Sequence, residues 1–159
     1  MKRIVIPTDF TIGSLQLVGE VAAHFPGSRL HITLLHGMEM PTGILDLLFL
    51  GKRNEHNEMV TPAFANACQI IENKYASVLE QLTVQFVYGN NRRVVQHFLD
   101  ANDIGLVVLP SDGLKPMADP QSVDLAALLK KCRVPVLELP VKTAAAKEKV
   151  LLADLLLAG

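Results

Sequence analysis

The sequence predicts an α/β fold, a doubly wound five-stranded parallel sheet with helices on both faces. The main observation is that five short apolar runs alternate with segments of helical periodicity. The runs occupy residues 3–7, 29–36, 83–88, 105–110 and 134–140. Strands that are joined by helical crossovers are parallel, and right-handed crossovers place the helices on both faces of the sheet.

The patterning within each run predicts its place in the sheet. A strand buried on both faces is continuously apolar, whereas an edge strand tolerates polar residues and proline. The segments Ile4–Ile6 and Leu106–Leu109 are continuously apolar, so we expect them near the centre. The run at 83–88 alternates and the last run contains Pro135, so we expect both at the edges. These positions favour the strand order 3-2-1-4-5.

Apolar residues at helical spacing predict four helices between the strands. The first two stripes are Leu15, Val18, Ala22 and Phe25, and then Ala63, Ala67, Ile71, Val78 and Leu82. The other two are Val94, Val95, Phe98 and Leu99, and then Val123, Ala126, Ala127 and Leu129.

Composition excludes several classes of protein. Half of the 159 residues are hydrophobic and 19% are charged, which is typical of a core-rich globular domain and not of a disordered chain. The formal net charge of −1 provides no overall basic field for nucleic acid or for an anionic membrane. No apolar stretch reaches the roughly 18 residues of a membrane span. We expect neither nucleic acid nor a membrane as a partner.

The N-terminus and the cysteines favour the cytoplasm. Only three apolar residues precede Pro7, too few for the apolar region of a secretory signal. Cys68 and Cys132 lie far apart and form no Cys-x-x-Cys motif, so we interpret them as reduced thiols and not as a zinc or redox site.

Two segments extend the minimal five-strand unit. We predict an α/β domain over residues 1–142 and a C-terminal helical extension over 143–159, in which 144–158 is apolar on nearly every side. Such a helix favours a homodimer interface formed by the last strand and this helix, or burial in a groove of its own monomer. The long loop at 37–59 has an apolar half that contacts a protein partner, covers the site or packs on the core.

The predicted strand order places a candidate ligand cleft. In open α/β sheets, ligands bind at the carboxyl ends of the strands, where the chain reverses direction across the sheet. Here that point lies between the first and fourth strands, so the residues that follow Ile6 and Leu109 are the first candidates.

Several short segments, taken together, resemble the universal stress protein family. They are residues 4–11 (IVIPTDFT), Leu34-Leu35-His36, Gly89, and Ser122-Val123 leading to Val134-Pro135-Val136-Leu137. The resemblance covers residues 3 to 140. It implies a Rossmann-like sheet of order 3-2-1-4-5, a cytoplasmic homodimer and a role in stress responses. Some members of this family bind ATP or related nucleotides and others do not.

The resemblance also implies a set of ligand-binding residues. Asp9 is placed near the ribose and the phosphates, with Pro7 and Thr8 on the same wall, although Asp9 is equally well suited to cap the following helix. His36 and Gly37 would meet an adenine, although a packed histidine that is hydrogen-bonded to backbone explains His36 as well. The phosphate side would be formed by the remaining candidates, Ser111, Gly113, Ser122 and Val123.

The phosphate-binding segment departs from the pattern of the nucleotide-binding members, which is Gly-x-x-Gly, nine residues, then Gly-Ser or Gly-Thr. Pro110 stands at the first glycine and Gln121 at the third, and eight residues separate Gly113 from Ser122. Proline has no N–H to donate, and the aspartates at 112 and 119 add negative charge. Tight ATP binding in the usual mode is therefore not expected.

Two functional hypotheses follow. The first is a non-enzymatic, homodimeric stress-response regulator whose cleft binds a small ligand weakly or not at all. The second is an adenine-nucleotide binding protein that takes ATP or AMP and hydrolyses ATP slowly. The sequence contains no Gly-x-Ser-x-Gly, Walker lysine loop or His-Glu-x-x-His motif, so we predict no catalytic residue and no metal site.

Overall fold

Strands and helices alternate in the computed structural model, which describes residues 2–10, 12–38, 60–111 and 125–140. In chain order its elements are β1 (Lys2–Pro7), a 3₁₀ turn (Ile12–Leu15), α1 (Gln16–His24), β2 (Leu30–Met38), α2 (Pro62–Lys74), β3 (Leu79–Tyr88), α3 (Arg92–Ala101), β4 (Leu106–Pro110), α4 (Leu125–Lys130) and β5 (Val136–Leu139). The predicted C-terminal helix and residues 39–59 of the long loop lie outside the described residues.

The five strands form one parallel sheet in the order β3-β2-β1-β4-β5, which confirms the predicted fold class and strand order. Val5 pairs with Val107, so the carboxyl ends of β1 and β4 are neighbours. Ile4, Val5 and Ile6 are fully buried because helices cover both faces of the central strand. Among the described helices, none has both the length and the apolar character that crossing a bilayer requires.

Each face of the sheet has its own hydrophobic core. The α1/α2 face packs those helices against Ile4, Ile6 and Leu34, with Phe64 of α2 buried in the layer. The α3/α4 face packs the other two helices against Val5 and its same-face neighbours on β2 and β4. The alternation of side chains along β1 therefore sends consecutive residues to different cores.

The start of β3 differs from the prediction. Val78 and Leu82 match the helical spacing of the α2 stripe, yet the helix ends at Lys74 and the strand begins at Leu79 instead of Thr83. Leu30 pairs with Leu79 and His31 with Gln81, so one extra β3 residue forms a bulge at Glu80. The bulge turns Leu79 and Leu82 to the same face, although they are three residues apart. Assigning Val78 and Leu82 to the helical stripe was therefore wrong, because Val78 lies in the turn after the helix and Leu82 lies in β3.

Candidate functional site

The chain reverses direction across the sheet between β1 and β4. The segment Pro7, Thr8 and Asp9 follows one strand, and Ser111 follows the other, with its N–H donated to the Leu139 carbonyl 2.9 Å away. Asp9 is half-buried and Ser111 is exposed. These two side chains are therefore the accessible polar groups that the structure describes at the predicted cleft.

Thr8 shapes the turn at the end of β1. Its side chain is buried, and its N–H donates to the Leu35 carbonyl at 2.9 Å. Its Oγ1 accepts a hydrogen bond from the Phe10 N–H at 3.0 Å and lies 3.0 Å from the Ser14 hydroxyl. Because local hydrogen bonds engage this hydroxyl, its role in the structure is to fix the path of the chain.

The side chain of His36 is buried and forms a hydrogen bond inside the protein. The imidazole is only 3% exposed, and its Nδ1 donates to the Thr8 carbonyl at 2.9 Å. A carbonyl oxygen can only accept, so this contact fixes the proton on Nδ1. The alternative that the sequence offered, a packed histidine bonded to backbone, describes this geometry.

An aromatic cluster surrounds His36, and sequence reasoning did not find it. The Phe10 ring centroid lies 4.9 Å from that of His36, 5.6 Å from that of Phe64 and 5.7 Å from that of Phe86. Phe10 has a φ of +60°, in the left-handed region that bulky residues rarely adopt. The Thr8 turn and the three ring contacts hold it there. An aromatic residue directly after Asp9, where a polar turn is expected, was the only signal in the sequence.

Gly37 lies inside β2, because the strand continues to Met38, two residues beyond its predicted end. It is buried and pairs in regular register with Val87. Among the described glycines, positive φ angles belong to Gly27 and Gly89, so neither a bulge nor the backbone conformation requires glycine at 37. Glycine destabilises the interior of a strand. Where no bulge or unusual φ explains it, a glycine often marks a position that a ligand or another backbone approaches closely.

The turn between β3 and α3 is built by local interactions. Gly89 has a φ of +133°, and a Cβ there would lie 3.0 Å from a Val94 methyl carbon. The Asn91 side chain accepts a hydrogen bond from the Val94 N–H at 3.0 Å and so caps the helix. Arg92 and Arg93 are exposed. This segment is a strand-to-helix turn followed by a solvated basic pair.

The remaining predicted residues, Gly113, Ser122 and Val123, lie outside the described residues. Within the described ranges, no three His, Cys, Asp or Glu side chains are placed to hold a metal ion. Burial, reinforced by Glu72, raises the pKa of the Cys68 thiol to about 12. Burial also raises the pKa of Cys132. Both described cysteines are therefore protonated, weakly nucleophilic thiols at neutral pH.

Solved structures share this arrangement over nearly their whole length. A universal stress protein in complex with cAMP matches at a TM-score of 0.51 and 19% identity, with 89% of this chain and 98% of that chain covered. The universal stress protein UspA from Lactobacillus plantarum matches at 0.55 and 15% identity, with 87% and 97% covered. A universal stress protein family protein from Arabidopsis thaliana with AMP bound matches at 0.51 and 16% identity, with 92% and 95% covered.

The fold is that of the universal stress proteins. The resemblance that the sequence showed is thereby confirmed for the fold, since identities below 20% establish the universal stress protein fold and not the activity. No protein-family model and no curated protein sequence matches this chain.

Proposed function

We propose that this chain is a cytoplasmic, non-enzymatic and homodimeric stress-response regulator whose cleft between β1 and β4 binds a small ligand weakly. The observation that carries the proposal is the composition of the cleft. Asp9 is half-buried and Ser111 is exposed there, and the Thr8 hydroxyl and the His36 Nδ1 both have partners inside the protein. Among the described residues, the Thr8 hydroxyl and the His36 Nδ1 already have partners inside the protein, so they offer little to offset the desolvation of a ligand and we expect low affinity.

Adenosine monophosphates are the ligand class that we favour. Two structural neighbours hold cAMP and AMP, each with one phosphate. In this proposal, the Asp9 carboxylate would accept hydrogen bonds from ribose hydroxyls, and the base would lie beside Gly37, where β2 carries no side chain. The glycine loop that would receive a triphosphate is altered at Pro110, Gln121 and in its spacing, which favours ligands with fewer phosphates.

The absence of catalysis is part of the proposal. The described cysteines have raised pKa values, and local hydrogen bonds engage the Thr8 hydroxyl. A regulator acts through ligand occupancy and surface contacts, and residues 39–59 of the long loop are our candidate for the partner contact.

The homodimer is proposed through β5 and the C-terminal extension. β5 is an edge strand, and its outer backbone groups offer pairing to a second copy. Val136 and Leu137 are half-exposed on this edge, and Glu138 pairs with Lys130 at 3.5 Å. The apolar sequence at 144–158 adds surface for burial between two copies. Sedimentation of the full chain and of a chain ending at residue 142 tests this part, and a stable dimer of the shorter chain would assign the interface to β5 alone.

The test of the ligand is calorimetric titration of the full chain with AMP, cAMP and ATP, after native mass spectrometry to detect a co-purified ligand. We expect AMP to bind with a dissociation constant on the order of 10 to 100 μM, and ATP no more tightly. Asp9→Asn should weaken AMP about tenfold, a loss of ~1.4 kcal/mol. Glu20→Gln, an exposed site on α1 with the same change of charge, is the matched control.

A second variant, Gly37→Val, tests whether the adenine base lies beside Gly37. Gly37→Val should raise the free energy of unfolding, because valine suits a strand better than glycine, while AMP binding falls. Loss of stability together with binding would mean that protein atoms, and not a ligand, fill the space beside Gly37. ATP that binds more tightly than AMP and is slowly hydrolysed would favour the nucleotide-binding alternative. No binding of any nucleotide would leave a regulator that acts through protein partners alone.

A further inference from the structure

A pocket lies at the amino edge of the sheet, where β1 and β4 begin and where the chain enters β5. It has a volume of about 540 Å³, within the usual range of cavities that receive a bound group. Its wall includes Phe25, Leu106 and Pro135. Phe25 and Leu106 pack against the α1/α2 core but are only half-buried, so the pocket exposes part of that core.

An apolar strip adjoins the pocket on the α1/α2 face of the sheet. The two helices of this face connect β1, β2 and β3, so β4 and β5 lie at the border of the layer that the helices form. Leu106 on β4 and Leu137 on β5 belong to this face and are half-buried, whereas Ile4 and Ile6 on the central strand are fully buried. An apolar strip that is only partly covered favours a further packing partner.

A dimer through β5 would bring the C-terminus of a second copy to this pocket. Two identical edge strands that pair about a two-fold axis perpendicular to the sheet run antiparallel. β5 has only 4 residues, a length of about 13 Å, so the carboxyl end of one β5 lies beside the amino end of the other. The pocket is at the amino end, and residues 141–159 of the second copy follow its carboxyl end.

The C-terminal segment has the length and the composition to cover the strip. Residues 144–158, which lie outside the described residues, would form a helix about 22 Å long. A helix is about 10 Å wide and neighbouring strands are about 4.8 Å apart, so one helix is wide enough to cover β4 and β5 together. The stretch 150–158 (VLLADLLLA) is apolar except for Asp154. It therefore offers apolar surface to the strip and a single charge.

The charge at the pocket rim is complementary to that aspartate. Among the described residues, Lys2 forms no ion pair. Its ammonium lies 5.1 Å from the centre of the Phe25 ring, at the border of the apolar wall. Arg3 and Asp103 also line the pocket, and their charges are opposite. The lining residues therefore carry a net positive charge, which favours the carboxylate of Asp154.

We propose that the C-terminal segment of a second copy fills this pocket and covers the strip, with its Asp154 paired to Lys2. The inference rests on the homodimer of the proposed function, and it adds the surface that receives the segment and its exchange between the copies. A pair of four-residue strands offers few hydrogen bonds. Apolar burial of the two exchanged segments therefore supplies most of the stability of the dimer.

The experiment is disulfide trapping in the full chain, on a background of Cys68→Ala and Cys132→Ala. A chain with Lys2→Cys is mixed with a chain with Asp154→Cys, allowed to exchange under reducing conditions and then oxidised. We expect a covalent dimer of the two different chains on a non-reducing gel, identified by mass spectrometry. In the matched control, Arg93→Cys at the exposed start of α3 replaces Lys2→Cys and should be trapped at least about tenfold less.

Charge reversal provides a second measurement. Lys2→Glu and Asp154→Lys should each weaken the dimer about threefold to tenfold in sedimentation, and the double variant should restore it. Glu20→Lys, an exposed site on α1, is the control and should leave the dimer unchanged.

The outcomes separate this inference from the homodimer itself. A disulfide within one chain that carries both new cysteines, without a covalent dimer, would place the segment on its own copy and overturn the exchange. A dimer in sedimentation with no trapping above the control would overturn the inference and leave the homodimer standing. A chain ending at residue 142 that dimerises as tightly as the full chain would do the same. A monomer in sedimentation would overturn the homodimer and the exchange together.

Discussion

The two faces of the sheet are built differently, although both are covered by two helices. The α1/α2 face is sealed by aliphatic side chains and ends in the aromatic cluster of Phe10, His36, Phe64 and Phe86. The α3/α4 face is covered by α3 and by the described part of α4, Leu125–Lys130. It includes a buried polar residue, Gln96, whose Nε2 donates to Asp100 and whose Oε1 accepts from the Arg133 N–H, both at 2.8 Å.

This difference indicates that the two faces contribute differently to stability and to the positions of the strands. Apolar burial on the α1/α2 face has no direction, so it supplies stability and holds the turn at Thr8. On the α3/α4 face, the hydrogen bond from the Arg133 N–H to Gln96 connects α3 to the segment before β5, the strand that we propose for the dimer interface. We expect substitutions on the first face to lower the free energy of unfolding most, and those on the second to act through geometry.

Phe64→Ala should have the largest effect on this comparison. The side chain is only 1% exposed and packs edge-on against Phe10. Its removal should lower the free energy of unfolding by about 3 to 5 kcal/mol in urea denaturation, because it leaves a cavity in the main core. Phe98→Ala, a half-buried phenylalanine on α3, is the control and should cost about 1 to 2 kcal/mol. Equal costs would remove the distinction between the two faces.

Gly89→Ala comes next, at the point where β3 leads into the α3/α4 face. The φ of +133° is nearly exclusive to glycine, and the added Cβ would also press on Val94. We expect a loss of about 1 to 3 kcal/mol in thermal or urea unfolding. Gly105→Ala, which has neither constraint, should change stability by less than about 0.5 kcal/mol. A cost at Gly105 that matched the one at Gly89 would show that the turn geometry is not what matters.

Gln96→Leu tests the directed bonds of the α3/α4 face. Both of its polar groups are engaged, so we expect a loss of about 1 to 2 kcal/mol. Gln69→Leu is a close control, since Gln69 donates to Asn73 four residues later at 3.3 Å but on an exposed part of α2. Its cost should be within about 0.5 kcal/mol of zero. If the tie to Arg133 positions β5, Gln96→Leu should also weaken dimerisation in sedimentation, and Gln69→Leu should not.

The smallest expected effect is a pH dependence at Cys68. Burial raises its pKa to about 12 in the folded chain, above the value near 9 of an exposed thiol. The folded state therefore holds the proton more tightly, and stability falls as the pH rises from about 9 towards 12. In reducing buffer, Cys68→Ala should lessen the fall in the urea midpoint between about pH 8 and 10.5. Cys132→Ala, on the more exposed thiol of the other face, should lessen it less.

The strand order was predictable because it depends on patterns that lie within single strands. Continuous apolar residues at Ile4–Ile6 identified a strand covered on both faces, and alternation at 83–88 identified an edge. The beginning of β3 was not predictable, because Val78 in the turn and Leu82 in the strand are four residues apart, which is also the spacing of residues on one face of a helix. The pairing of Leu82 with Ile32 of β2 shows that Leu82 belongs to a strand.

The candidate site divides in the same way. The strand order alone predicts that Asp9 and Ser111 lie at neighbouring strand ends, since β1 and β4 are adjacent in that order. The orientation of His36 and the left-handed conformation of Phe10 depend on contacts with α2 and β3, which are distant in sequence.

The sequence by itself determined the fold class and which strands are central and which are at the edges. These properties are local, because the periodicity of burial is written into consecutive residues. Only the tertiary structure decided the bulge in β3 and the inward hydrogen bond from His36 to Thr8. Both features depend on residues that are far apart in the chain. The spacing of residues within one segment does not show which distant residue a side chain contacts.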